Sequence, residues 1–137
     1  MSGISDKTTD ALGASLDFRL LRHNVTASNI ANAETPGYKA KKVDFEEALN
    51  RALDHEGLGK SHTSDNEHFL MGQGAISRAR ADVYDNPDIN VTNDGNTVDM
   101  ERELSTLADN SILYKAALQL INKKMGAMRY AVTEGSR

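Results

Sequence analysis

Apolar residues recur at alternating spacings of three and four in both terminal parts of the chain. The longer series follows Val98, steps by 4, 3, 4, 3, 4, 3, 4, 3 and 4, and is polar only at Ser111. Its members are Met100, Leu104, Leu107, Ser111, Tyr114, Leu118, Ile121, Met125, Met128 and Val132. Such a series predicts a coiled-coil-like helix of about 36 residues, roughly 54 Å long.

The N-terminal part carries a shorter series and predicts a helix from about Asp10 to Ala33. This series consists of Ile4, Ala11, Ala14, Phe18, Leu21 and Val25, with a second stripe of Leu12, Leu16 and Leu20. Leu113, Leu120 and Ala127 form a similar second stripe beside the C-terminal series. A helix that is apolar on two sides needs neighbours on two sides. We therefore expect the terminal helices to pack together and then against other subunits.

Residues 29–42, NIANAETPGYKAKK, concentrate turn-forming residues where the first helix must stop. Pro36 lacks an N–H group and disfavours helix at the residue before it. Gly37 permits the positive φ of a type II turn with Pro36 and Gly37 at its centre. We expect Asn29 and Asn32 to bind the unpaired carbonyls of the last helical turn, or a neighbour.

The segment between the two helices has a weaker pattern. Asp44 and Glu47 have the spacing of a capping box, and the apolar face that follows predicts a short helix ending before Gly57. This face consists of Phe45, Ala48, Leu49, Ala52 and Leu53. Residues 55–68 are expected to form a mobile loop, and residues 69–97 a few short strands or irregular structure.

The predicted fold is therefore mainly α, with long N- and C-terminal helices forming a coiled-coil-like arm. It divides into an N-terminal helical arm (1–35), a turn, short helix and variable centre (36–97), and a C-terminal heptad helix (98–137). The first and third parts are expected to form one structural unit.

Composition narrows the possible functions. The apolar content of 39% supports a core, but 5% aromatic residues make it a lean one. A net charge of -4 argues against general nucleic-acid binding, which requires a positive surface. The absence of cysteine excludes disulfides, thiolate metal sites and a cysteine nucleophile. No segment resembles a secretory signal or reaches the roughly 18 apolar residues of a membrane span, so we expect no membrane insertion.

The sequence contains only weak candidates for metal-binding or catalytic residues. His55, His62 and His68 are separated by seven and six residues, which does not fit a compact metal site, and His23 falls in a predicted helix. Residues 90–101 partly imitate a calcium loop but lack its dense negative charge, so Asn93-Asp94-Gly95 is better interpreted as a hairpin turn leading into the C-terminal helix. There is no phosphate-binding glycine loop or nucleophile elbow. We expect no catalytic residue, metal site or cofactor.

Residues 27–39, ASNIANAETPGYK, resemble the N-terminal signature of bacterial flagellar rod and hook proteins, in which Asn-hydrophobic-Ala-Asn precedes Thr-Pro-Gly-Tyr-Lys. The signature residues are Asn29, Ile30, Asn32, Thr35, Pro36, Gly37, Tyr38 and Lys39. The short length and the continuation Val43-Asp44-Phe45 are similar to the proximal rod members. Residues 95–103 and 114–117 resemble their C-terminal helical region. The resemblance covers about residues 10–50 and 93–135.

The resemblance implies a structural axial subunit of the flagellar basal body and no enzyme. Such a subunit is exported by the flagellar type III apparatus without a cleaved signal peptide and polymerises into the periplasmic, torque-transmitting rod. Its partners would be other rod subunits, basal-body components and the export apparatus. The expected packing and assembly residues are Phe18, Leu21, Val25, Leu104, Leu107, Tyr114, Leu118, Ile121, Met125 and Met128.

Two alternatives stay open from the residues alone. A soluble helical adaptor that dimerises through the C-terminal heptads would sediment as a discrete stable dimer, whereas a polymer subunit would sediment as a monomer with labile termini. A small metal-dependent enzyme would bind zinc stoichiometrically through His55, His62 and His68.

Overall fold

The computed structural model describes residues 7–57, 75–87 and 92–134. Two long helices dominate it, and four short elements lie between them in the sequence. In chain order the elements are helix α1 (Lys7–Ala31), strand β1 (Lys41–Asp44), helix α2 (Glu46–Gly57), helix α3 (Ala75–Arg78), strand β2 (Asp82–Asp85) and helix α4 (Met100–Glu134). The predicted mainly α fold, with two long terminal helices, one short central helix and a small β element, is confirmed.

Helices α1 and α4 pack against each other in antiparallel orientation. Near the middle of the pair, the Asn110 side chain donates a hydrogen bond to the Arg19 carbonyl at 2.7 Å. Further toward the start of α1, Gly13 lines the same cleft as Ile121, while Thr26 and Glu103 share a cleft at the other end. Along the pair, the residue numbers of α1 decrease as those of α4 increase. The two helices therefore run in opposite directions.

The face of α4 that meets α1 is more polar than the apolar series suggests. Its buried residues are Glu103, Asn110 and Ala117, which are spaced seven apart. Within the apolar series, the half-buried members are Leu107, Ser111, Tyr114, Ile121 and Met128, and the exposed ones are Met100, Leu104, Leu118, Met125 and Val132. The periodicity therefore predicts the helix, but the centre of its contact with α1 lies beside the apolar series, where the Asn110 amide nitrogen donates to the Arg19 carbonyl.

The start of α2 differs from the predicted capping box. Asp44 belongs to β1, where its carboxylate accepts a hydrogen bond from the Tyr84 hydroxyl. The helix begins at Glu46, and the Glu46 carboxylate accepts the Phe45 N–H at 3.3 Å. The carboxylate of the first helical residue therefore takes the role expected of Glu47. The apolar face is confirmed, since Phe45 and Ala52 are buried.

Strands β1 and β2 form a two-stranded antiparallel sheet in which Val43 pairs with Val83. This agrees with the expectation of short strands within residues 69–97. The main apolar core of the described residues lies where this sheet, α2 and α3 meet α1, and it consists of Ala40, Val43, Phe45, Ala52 and Ile76.

The expected loop over residues 55–68 is wrong at its start, because α2 continues to Gly57. The rest of that prediction, from residue 58, lies outside the described residues. No described helix is long and apolar enough to cross a membrane.

Candidate assembly joint

Helix α1 ends at Ala31, two residues earlier than predicted, and the chain then passes through a series of turns. In the last of these, the Tyr38 N–H donates to the Thr35 carbonyl at 3.2 Å. Gly37 has a φ of 71°, the positive value that a type II turn requires at its third residue. The turn predicted from Pro36 and Gly37 is therefore confirmed.

Asn32 stabilises the end of its own helix. Its side-chain amide donates to the Ser28 carbonyl at 2.8 Å, and its side-chain oxygen accepts the Thr35 hydroxyl at 3.2 Å. The same carbonyl also accepts the Asn32 N–H at 3.1 Å, so Asn32 binds a carbonyl of the last helical turn through both its backbone and its side chain. This is one of the roles expected of the asparagines from the sequence.

Asn29 has a different role, since it joins α1 to β1. Its side chain is 1% exposed. The amide nitrogen donates to the Lys41 carbonyl at 2.7 Å, and the side-chain oxygen accepts the Lys41 N–H at 3.0 Å. The same oxygen accepts the Tyr38 hydroxyl at 3.2 Å. The Asn29 amide thus pairs with the outer edge of β1 as the peptide of a neighbouring strand would.

Asn29 also lies beside the start of α4. Burial raises the pKa of the Glu103 carboxyl, the Asn29 side chain partly offsets this by a hydrogen bond to it, and the Asp99 charge raises it further. One buried asparagine of α1 is therefore in contact with both β1 and α4.

Asn96 was not recognised as a site residue from the sequence. It is 1% exposed, and its amide nitrogen donates to the carbonyls of Asn32 and Ala33 at 2.9 Å and of Thr35 at 2.8 Å. Its side-chain oxygen accepts the Val98 N–H at 2.8 Å. A single side chain from just before α4 thus satisfies the end of α1. Its signal in the sequence was its place in the second family-like segment, residues 95–103.

Backbone bonds join the same two segments. The Gly37 N–H donates to the Asp94 carbonyl at 3.0 Å, and the Thr97 N–H donates to the Tyr38 carbonyl at 3.1 Å. The Ala40 N–H donates to the Thr97 hydroxyl at 2.8 Å. We call residues 29–40 together with residues 92–98 the joint. It holds the end of α1 against the segment that leads into α4.

The turn at residues 92–95 supplies the second half of the joint. The Gly95 N–H donates to the Thr92 carbonyl at 2.9 Å, and Gly95 has a φ of 81°. The Asp94 carboxylate accepts the Thr92 hydroxyl and the Asn96 N–H, and these bonds lower its pKa. The carboxylate is used within the turn, which supports a tight turn over a calcium loop.

Arg22, also missed from the sequence, anchors the short elements to α1. Its guanidinium donates to the Val43 carbonyl at 3.0 and 2.7 Å and makes two bonds to the Glu46 carboxylate at 2.6 and 2.8 Å. It lies 4.4 Å from the centroid of the Phe45 ring, which also contacts the Phe18 ring at 5.3 Å. The Val43-Asp44-Phe45 continuation noted in the sequence is therefore the surface on which α1 rests.

The Arg22 contact perturbs Glu46. Burial favours the neutral acid, but hydrogen bonds from Arg22 and from the Phe45 and Glu46 N–H groups outweigh it and lower the pKa of Glu46 to about 2. The charged carboxylate is thus stabilised in the folded chain relative to an ordinary pKa of 4.5.

We expect this ion pair to be lost in acid. Because the folded pKa of Glu46 is below the ordinary value, its contribution to stability is present above pH 4.5 and disappears as the pH falls toward 2. Glu46→Gln should therefore flatten the fall in unfolding free energy over this range, measured by urea titration. Glu47→Gln is the matched control, because Glu47 is exposed and lies 3.9 Å from Arg51. An equal effect of both variants would contradict the assignment.

The remaining signature and packing residues occupy varied positions. Ile30, Phe18 and Val25 are half-buried, whereas Leu21, Thr35 and Pro36 are exposed. Lys39 is exposed and its ammonium group donates to the Gly95 carbonyl at 3.2 Å. The joint therefore contains Asn29, Asn32, Thr35, Gly37, Tyr38 and Lys39 in direct contact with one another or with residues 92–98, while Phe18, Leu21 and Val25 lie along the arm.

The histidines give no metal site in the part of the chain that the structure describes. His23 is exposed on α1, while His62 and His68 lie outside the described residues. No group of three metal-binding side chains occurs among residues 7–57, 75–87 and 92–134.

Comparison with known proteins places this joint in a family. A family model of flagella basal body rod proteins matches residues 19–39, which contain the end of α1 and the turn. The chain is 38% identical to flagellar basal body rod protein FlgB of Aeromonas hydrophila over 117 residues, 85% of this chain and 86% of that protein. It is 36% identical to FlgB of Salmonella typhimurium and 34% identical to FlgB of Escherichia coli, each over 88% of this chain and 89% of the relative.

The family model and these relatives thus identify the chain as a structural flagellar rod protein, a class not known to be enzymatic. Within that class, the chain belongs to the FlgB family of flagellar basal body rod proteins.

Proposed function

We propose that this chain is an axial subunit that the flagellar type III apparatus exports and that polymerises into the torque-transmitting rod. The observation that carries the proposal is the pair of apolar flanks on α4. The first flank is Leu104, Leu118, Met125 and Val132, and the second is Leu113 and Leu120. All of these side chains are exposed in the single chain.

The two flanks lie on opposite sides of the contact with α1. The first follows the buried positions Glu103, Asn110 and Ala117 by one residue, a rotation of about 100°. The second follows them by three residues, which is about 60° in the other direction. Removing the exposed apolar surface of each flank from water is favourable by roughly 25 cal/mol of free energy per Å². A subunit with neighbours on both sides would cover both flanks, as polymerisation requires.

The joint suits a part that carries torque. Side-chain and backbone hydrogen bonds link the end of α1 to residues 94–98, which lead directly into α4. Any rotation of one long helix about its end would have to break several of these bonds together. Twisting forces applied to the arm would therefore pass to the rest of the subunit with little bending at the joint.

Export as an unfolded chain is compatible with the covalent structure, because the sequence has no cysteine and hence no disulfide that must be reduced. We place the assembled protein in the periplasmic part of the basal body. The three relatives named above are rod proteins, so they favour a rod subunit over a soluble adaptor that dimerises through α4.

The proposal is tested by deleting the gene in its own host. We expect basal bodies isolated from the deletion strain to lack rods in electron micrographs, and the tagged protein to be recovered outside the cytoplasm when the export apparatus is intact. Complete rods in the deletion strain would overturn the structural role. Rods lost while the protein stays cytoplasmic in every strain would overturn the export step alone.

Substitution of Gly37 tests the turn. No atom lies within 4 Å of a Cβ built at Gly37, but its φ of 71° is strongly disfavoured for a β-branched residue. Gly37→Val should destabilise the chain by roughly 1–3 kcal/mol and reduce motility more than secretion. Gly126→Val is the control for stability, since Gly126 lies within α4 and is equally uncrowded. Normal motility of Gly37→Val cells would contradict the role of the joint.

A further inference from the structure

The polar groups of the N-terminal signature find their partners within the same chain. Asn29 is used by Lys41 and Tyr38, and Asn32 by Ser28 and Thr35. Buried polar groups are stable only when they are paired, and a group that is already paired has little capacity left for another partner. Hydrogen bonding to a neighbouring subunit is therefore not needed to satisfy Asn29 and Asn32.

The partners that complete the signature come from the far end of the chain. Asn96 donates to the carbonyls of Asn32, Ala33 and Thr35, which lie 64, 63 and 61 residues away in the sequence. The Gly37 N–H and the Tyr38 carbonyl are taken by the backbone of residues 94–97, and the Ala40 N–H by the Thr97 hydroxyl. Without residues 92–98, the Ala33 and Tyr38 carbonyls and the Gly37 and Ala40 N–H groups would lose these partners. The Asn32 and Thr35 carbonyls would keep only the N–H groups of Thr35 and Tyr38.

Residues 92–98 depend on residues 29–40 as well. The backbone of Thr97 is held by Tyr38, and that of Asp94 by Gly37. The Asn96 side chain reaches its buried position by binding the end of α1, and its oxygen then holds the Val98 N–H two residues before α4 begins. The approach to α4 is therefore shaped by the same contacts that end α1.

From this mutual dependence we infer that the joint is a two-part clamp within one chain, in which residues 29–40 and residues 92–98 become ordered only together. The clamp couples the end of α1 to the start of α4, and the two long helices acquire their relative position in one cooperative step. Its function is conformational: it converts two separate helices into one arm. This inference rests on contacts within the chain and does not depend on the rod proposal.

Reciprocity gives the test, because a coupling between two segments acts equally in both directions. Hydrogen exchange of the full-length protein should be followed by NMR for Asn29→Ala and Asn96→Ala. Asn29→Ala changes residues 29–40, and it should lower the protection of the Thr97 and Val98 amides in residues 92–98. Asn96→Ala should lower the protection of the Gly37 and Lys41 amides. Each loss should be about tenfold or more, as expected for removing a buried hydrogen bond.

The Ala52 amide of α2 serves as the reference, and Asn93→Ala as the matched control, since Asn93 is exposed in the same turn. The expected result is a loss confined to the two halves of the joint and to Lys41, whose N–H bonds to Asn29, with Ala52 and the control unchanged. A loss limited to the mutated half would overturn the coupling. An equal loss at Ala52 would also overturn it, because it would indicate global destabilisation and no separate cooperative unit.

A milder variant covers the case in which Asn96→Ala does not fold. Thr97→Val keeps the shape of the side chain and removes the acceptor of the Ala40 N–H. It should lower protection at Gly37 and Lys41 by the same mechanism. Unchanged protection at both amides in a folded Thr97→Val protein would contradict the clamp.

Discussion

Phe45→Ala is expected to lower the free energy of unfolding by about 3–5 kcal/mol, the range for removing a buried aromatic ring. Phe45 is 2% exposed and is the largest fully buried side chain of the described residues. Its ring contacts the Phe18 ring at 5.3 Å and the Arg22 guanidinium at 4.4 Å. Loss of the ring would leave a cavity between α1 and α2 that the small core cannot refill.

Phe45→Leu separates the loss of volume from the loss of the ring. Leucine keeps much of the apolar bulk, so its cost should be well below that of alanine, while the contact between ring and guanidinium is lost. Both variants can be measured by guanidinium chloride unfolding followed by circular dichroism. Equal midpoints for wild type and Phe45→Ala would show that the contact between α1 and α2 contributes nothing to the stability of the chain.

Arg22→Ala should cost about 2–4 kcal/mol, since it removes several contacts at once and leaves the buried Val43 carbonyl without its donor. The Glu46 carboxylate is about half exposed, so its ion pair with Arg22 is screened and supplies the smaller part of this loss. The larger part comes from the carbonyl and from the stacking of the guanidinium on Phe45.

Arg51→Ala provides the matched control, because Arg51 is exposed and its ion pair with Glu47 is 3.9 Å long. It should change stability by less than about 0.5 kcal/mol. Arg22→Lys should recover only part of the loss, since an ammonium group cannot bind two acceptors in a plane and stack at the same time. Unfolding by urea at neutral pH checks all three variants. Equal costs for the two alanine variants would exclude a special role for Arg22.

The features that depend on local sequence could be predicted. The 3-and-4 spacing gave both long helices, because that period is a property of the helix itself. The turn at Pro36 and Gly37 follows from the fixed φ of proline and the positive φ open to glycine. The small apolar face beginning at Phe45 was visible for the same reason. These signals act within a few residues and need no knowledge of the tertiary structure.

The contacts that complete the joint could not be predicted in this way. Asn96 and Arg22 act on backbone groups of distant segments, and neither has a periodic or charge pattern that marks it. The position of α4 on α1 was also hidden, because Asn110 is polar yet lies at the centre of the contact. Its partner is the backbone carbonyl of Arg19. Every residue type has such a carbonyl, so the residue at this position does not signal the bond. Resemblance to a family was the sequence signal that favoured a role for the segment containing Asn96.

The joint also determines how the middle of the chain is attached. The polypeptide leaves the joint after Ala40 and returns at residue 92. The Ala40 N–H bonds to the Thr97 hydroxyl and the Gly37 N–H to the Asp94 carbonyl, and these bonds keep the two segments together. The chain between them, which includes β1, α2, α3 and β2, forms one loop in the polymer sense, and the joint closes its base. Lengthening such a loop costs little, since the closure entropy rises only with the logarithm of its length. A foreign domain whose termini lie close together could be inserted between α2 and α3 while the long helices and their packing stay as they are.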